Sequence, residues 1–104
     1  MSFNGNEGEF ITLEEGAAMT ARFRNSVQAG KTIGQFVGRE KLMDVIGQEN
    51  CVGIRFYYAL NELNEPAIVA VGADSDENDL TEGIIIDHFK KCPPICSQRN
   101  KLNS

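Results

Sequence analysis

The chain reads as α+β: two N-terminal helices followed by a small antiparallel sheet of about three strands. Three observations predict it. A capped segment of helical periodicity lies near the N-terminus, a period-two pattern rich in β-branched and aromatic residues sets in after residue 51, and the link between the first two strand-like runs is too short for a parallel crossover. The 104 residues are 41% hydrophobic and 24% charged, the balance of one globular domain spanning 1–104.

Residues 1–9 are polar, carry Gly5 and Gly8, and read as a loose arm before a folded core over 10–96. Thr12-Leu13-Glu14-Glu15 has the capping-box form, in which the Thr12 hydroxyl accepts from the Glu15 amide while the Glu15 carboxylate reaches back. Leu13, Gly16, Met19, Thr20, Phe23 and Val27 then share one face at 100° per residue, and Gly30 is the expected stop. Residues 31–38 have no firm assignment. Leu42, Met43, Val45 and Ile46 supply the apolar side of a shorter helix over Arg39 to Ile46, which Gly47 ends.

Val52, Ile54, Phe56, Tyr58 and Leu60 alternate with Gly53, Arg55, Tyr57 and Ala59, a period of two rich in aromatic and β-branched residues. Asn61 to Glu65 is a short polar connector, and Pro66 can open the next strand because a missing amide matters least there. Ala67 to Val71 is apolar on both faces, and the link is far too short for a parallel crossover, so these runs form an antiparallel hairpin. Asp74 to Glu82 is an acidic turn, and Ile84-Ile85-Ile86 is a third short strand. The polar tail over 97–104 is expected to be disordered.

A net charge of -5 argues against general nucleic-acid binding, which needs a basic face to displace counterions. No apolar run approaches the ~18 residues that span a bilayer, so no membrane partner is expected. The first twenty residues lack the basic start and apolar stretch of a secretory leader, which makes the cytoplasm the expected compartment.

Cys51, His88, Cys92 and Cys96 are by count a Cys₃His zinc set, yet only one closely spaced cysteine pair exists. The two prolines of Cys92-Pro93-Pro94-Ile95-Cys96 also prevent His88, Cys92 and Cys96 from lining one helical face. No metal and no cofactor is therefore expected. A Pro-Pro bend can bring the Cα atoms of Cys92 and Cys96 within the roughly 4.4 to 6.8 Å a disulfide requires. A reducing cytosol opposes that bond, so both thiols are expected to be reduced. Cys51 reads as a small hydrophobe.

The acidic turn has oxygen ligands at alternating positions, as calcium loops do. It departs from the EF-hand pattern at its sixth position, Asp79 for glycine, and its twelfth, Ile85 for glutamate. Gly30-Lys31-Thr32 ends like a phosphate-binding loop, but Asn25 replaces the required first glycine and a helix precedes it. His88 is the lone histidine, and on a strand Asp87 would point to the opposite face. No Gly-x-Ser-x-Gly elbow is present. No catalytic residue is assigned.

Together, Thr12-Leu13-Glu14-Glu15, Cys51 to Tyr58, Val71-Gly72-Ala73-Asp74, Asn78-Asp79-Leu80 and Cys92-Pro93-Pro94-Ile95-Cys96 resemble an uncharacterised family of small bacterial proteins with a C-terminal Cys-Pro-Pro-x-Cys motif. The resemblance runs from Glu9 to Cys96. It implies a bacterial, stand-alone domain and carries no functional residue with it.

The expected function is that of a non-enzymatic cytosolic binding or assembly module acting as a homodimer through its sheet surface. Ala67 to Val71 and Ile84 to Ile86 are apolar on both faces, and two helices can cover only one. A wet second face would expose several hundred Å² of apolar surface, which a partner chain covers economically. One alternative is a metal- or thiol-dependent protein built on Cys51, His88, Cys92 and Cys96. Another is a small-ligand enzyme using acidic residues near Tyr57 and Tyr58, which a deep pocket of titratable groups would favour.

Overall fold

The computed structural model of the chain describes residues 2–104. In chain order the elements are α1 (Leu13–Ser26), β1 (Gly34–Phe36), α2 (Arg39–Ile46), β2 (Gly53–Leu60), β3 (Pro66–Ala73), β4 (Ile85–Ile86) and β5 (Lys90–Cys92). The α+β class therefore holds, with a different order and sheet count from those expected. A strand stands between the helices, and there are two antiparallel sheets, β2-β3-β4 and β1-β5. Two compact units result: one of residues 2–7 and Val37–Phe89, the other of Gly8–Phe36 and Lys90–Ser104. No helix among the described residues is long and apolar enough to cross a membrane.

The first unit is organised by the β2–β3 hairpin. Eight residues pair with eight, from Gly53↔Ala73 to Leu60↔Pro66, across the polar connector read from the sequence. Asn61 closes that connector: its side-chain oxygen accepts the amides of Leu63 and Glu65 at 2.8 and 3.0 Å. β4 adds to the far side of β3 through Ala70↔Ile86 and Val71↔Ile85. The core gathers Val45 of α2 with Ala70 and Ile86, and Val37, Cys51, Ile54 and Phe89 pack against it. Phe56 meets the Phe89 ring edge-on at 6.4 Å between centroids, a favoured aromatic geometry.

Gln48, just past α2, holds this layer together. Its amide nitrogen donates to the Val45 carbonyl at 2.9 Å, and its amide oxygen accepts the Ile84 amide at 2.8 Å. The side chain occupies space that two glycines leave open. A Cβ on Gly72 would lie 2.9 Å from the Cys51 sulfur and 3.0 Å from Gln48 Nε2, and one on Gly83 would collide with Gln48 Oε1.

The Glu7 carboxylate accepts the amides of Asn4 and Gly5 at 2.9 and 3.0 Å, folding residues 4–7 into a turn. The Phe3 amide donates to the Ser75 carbonyl at 2.9 Å, so the arm is tied to the acidic turn.

In the second unit α1 starts where the capping box predicts. The Thr12 hydroxyl accepts the Glu15 amide at 3.1 Å, and the Glu15 carboxylate accepts the Thr12 amide at 2.9 Å. The helix ends at Ser26, four residues before Gly30. There the Ser26 hydroxyl donates to the Phe23 carbonyl at 2.7 Å and Val27 turns extended, the local competition that serine offers a helix. Gly30, at φ 87°, serves the following turn instead. The unassigned segment supplies β1, which pairs with β5 from Gly34↔Cys92 to Phe36↔Lys90. Residues of the tail contact α1. Arg24 donates to the Leu102 carbonyl at 2.6 Å, Lys101 pairs with Glu14 at 3.1 Å, and the Leu102 side chain lies against Gly16.

Thr12→Ala removes the acceptor for the Glu15 amide, which typically costs about 1 kcal/mol. A thermal midpoint lower by roughly 4 to 8 °C is the expected result. An unchanged midpoint in differential scanning calorimetry would show that the cap does not hold α1.

Candidate functional site

Alternation along β2 places Arg55 and Tyr57 on one face of the sheet and Ile54 and Phe56 on the other. The acidic turn is built to reach the first pair. Asp74 Oδ1 accepts the amides of Asp76 and Asn78 at 2.9 and 3.0 Å, Glu77 takes φ 71°, and Asp79 returns to a bridge with Ala73. That return delivers the Asp79 carboxylate between the Arg55 guanidinium and the Tyr57 hydroxyl, both of which donate to it. The Asp79 side chain is only 19% exposed, so the pair is better shielded than an ordinary surface salt bridge. Arg55 also lies over the Phe3 ring, 5.5 Å from its centroid, a cation–π contact.

Electrostatics in this clasp oppose acid–base chemistry. The Tyr57 hydroxyl and then Arg55 hold the Asp79 carboxyl below the usual aspartate range. The same hydrogen bond pushes the Tyr57 phenol up, and Arg55 is raised by its bond to Asp79. A general base or acid works best with a pKa near the operating pH. Here each group is moved away from neutrality, so the three residues fasten the turn and the arm to β2.

Beside the clasp, between the arm and β2, lies an open cleft of about 500 Å³ lined by Phe3, Glu7, Gly53, Arg55, Phe56 and Tyr58. It is large enough for a small ligand. Its charged liners are already engaged, Glu7 by its own turn and Arg55 by Asp79. Of the acidic residues, Asp79 is the one brought to Tyr57, where it serves as a hydrogen-bond acceptor.

The four thiol and imidazole candidates divide between the units. Cys51 is half-buried against the core and its thiol donates to the Gly53 carbonyl at 3.1 Å. His88 lies past the end of β4 at φ 63°, 90% exposed, with Nδ1 2.7 Å from Asp87 Oδ1. The two neighbours therefore touch, contrary to the opposite-face expectation, because neither is on a strand. Cys92 and Cys96 are joined by a disulfide with their Cα atoms 4.8 Å apart, which corrects the expectation of reduced thiols. The Pro-Pro bend supplies the approach, and the Ile95 amide donates to the Lys91 carbonyl across it at 2.9 Å. Among the described residues no three His, Cys, Asp or Glu side chains gather as a metal site.

Sequence reasoning missed the clasp. Arg55 and Tyr57 carried the alternation signal, but nothing local tied them to a carboxylate more than twenty residues away.

Asp79→Asn should lower the thermal midpoint at neutral pH. The folded pKa of Asp79 lies below its unfolded value of 3.8, so its contribution is present above that value and disappears as pH falls through the folded pKa. The gap between wild type and variant should close on acidification toward pH ~2, below the ordinary aspartate range. A gap that stays constant from neutral to acid pH would mean that the carboxylate charge does not hold the clasp.

Comparisons with protein-family models, with curated proteins and with solved structures return no match to this chain.

Proposed function

We propose that the chain is a non-enzymatic binding or assembly module that works as a two-fold homodimer joined along β2. One observation carries this reading. β2 is an outer strand of its sheet, and Phe56, Tyr57, Tyr58 and Leu60 on it are 45, 47, 94 and 65% exposed. Such an edge presents unpaired amides and carbonyls, and proteins normally blunt it with lysine, proline or a short strand. β2 has eight residues, no lysine and no proline, and its one charge is turned to Asp79.

The strand is also suited to pair with itself. A two-fold axis through Tyr57 sets Phe56 opposite the second copy's Tyr58, Ile54 opposite Leu60, and Arg55 opposite Ala59. Aromatic and aliphatic pairs of this kind stabilise antiparallel ladders, and no like charges meet. The thin core supports the same reading, because no residue of α1 is buried and Met19 and Phe23 are more than half or half exposed. The reading keeps the bacterial and cytoplasmic setting expected from the sequence. The Cys92–Cys96 bond is the feature most at odds with a reducing compartment.

Light scattering behind a sizing column should give twice the 11.5 kDa chain mass at tens of micromolar protein. Tyr58→Lys, at a position almost wholly exposed, should return the monomer without changing the circular dichroism spectrum. Wild type eluting as a monomer would overturn the dimer, and a dimer indifferent to the lysine would overturn the β2 edge as its seam.

A further inference from the structure

We infer that the Cys92–Cys96 disulfide is a thiol–disulfide exchange site for small anionic thiols, with Cys96 the sulfur under attack. This goes beyond the dimer reading and does not depend on it. The bond closes a ring of only five residues, which removes less chain entropy than a longer loop would, so its structural contribution is modest. Cys96 is exposed whereas Cys92 is half-buried at the end of β5. An incoming thiolate therefore meets Cys96 more readily than Cys92.

The surroundings favour closure and charge. Pro93 and Pro94 restrict the ring backbone, and the hydrogen bond from the Ile95 amide to the Lys91 carbonyl spans it without help from the sulfurs. Both features keep the two thiols close after reduction. From Lys90 to Ser104 the chain carries Lys90, Lys91, Arg99 and Lys101 and no acidic residue. Lys101 is engaged by Glu14 and Lys91 is engaged as well; Lys90 and Arg99 supply the local positive charge in a chain whose net charge is -5. Positive charge near a sulfur stabilises a departing thiolate and attracts an anionic attacker.

The exchange balances in two steps. A thiolate attacks Cys96 Sγ, the S–S bond breaks, and Cys92 leaves as a thiolate while a mixed disulfide forms on Cys96. A second small thiol then attacks the outer sulfur of that mixed disulfide. It releases the small-molecule disulfide and leaves Cys96 as a thiolate, and both protein thiolates take up protons. Two small thiols are oxidised and one protein disulfide is reduced.

The test uses the full chain in native buffer and two monothiols of similar size, mercaptopropionate (anionic) and cysteamine (cationic). Peptide mass spectrometry reads the modified cysteine, and circular dichroism monitors the fold. At low salt the anionic thiol should reduce the bond severalfold faster than the cationic one, and the advantage should fade at high ionic strength. Given the symmetrical disulfide of mercaptopropionate as oxidant, Cys92→Ser should take up one mercaptopropionyl group on Cys96 with release of one mercaptopropionate, and Cys96→Ser should take up far less on Cys92. A bond that resists millimolar thiol until the chain unfolds would overturn the proposal. So would equal rates for the two thiols, or adducts on Cys92 rather than Cys96.

Discussion

The ladder between β2 and β3 is the constraint on which the first unit depends. Its eight registered pairs fix which residues face α2 and which face the acidic turn. Once Ile54 and Phe56 are turned toward Val45 and Phe89, Arg55 and Tyr57 must present to the other side, where Asp79 meets them. A slip of one residue would exchange the two sets and lose both the core and the clasp. The hairpin also decides what is left unsatisfied. β3 is paired on both sides, so the sheet's long open flank can only be β2.

The unit built on that ladder has little interior. Val45, Ala70, Val71, Ala73 and Ile86 are the buried apolar residues among those described, and three of them have small or β-branched side chains on a single strand. Burial of this extent contributes modestly at about 25 cal/mol per Å² of apolar area. Directional contacts therefore carry more of the assembly than usual: the Asp79 carboxylate at the turn, the Gln48 amide behind α2, and the Glu7 carboxylate in the arm. Each satisfies donors that would otherwise be left to water.

What could be read from the sequence was what is local. The capping box, the span Arg39 to Ile46 and the β2–β3 hairpin all announce themselves within a few residues, through cap chemistry, 3.6-residue spacing or alternation. The β1–β5 pair did not, because Gly34–Phe36 and Lys90–Cys92 are three residues each and find each other across more than fifty positions. Their pairing is written in tertiary proximity rather than in periodicity. The same holds for Asp79, whose role depends on a turn that looks from sequence like any solvated acidic loop. The disulfide was misjudged for another reason: the geometry of the Pro-Pro bend favoured it, and an assumption about compartment was set against that geometry. The tail and the arm were read from composition, which does not reveal that Lys101 and the Leu102 carbonyl meet α1 or that Glu7 holds its own turn.

Gln48 has a consequence for the chemical ageing of the molecule. Its side chain must give a hydrogen bond to the Val45 carbonyl and take one from the Ile84 amide, which an amide can do and a carboxylate cannot. Hydrolysis of that one amide to a carboxylate would keep the acceptor and lose the donor. Two oxygens would then face each other where α2 ends, and the glycines at 72 and 83 leave the altered group no wider berth. The attachment of this helix to its sheet thus has a shelf life set by the hydrolysis of a single side chain, with the peptide backbone intact.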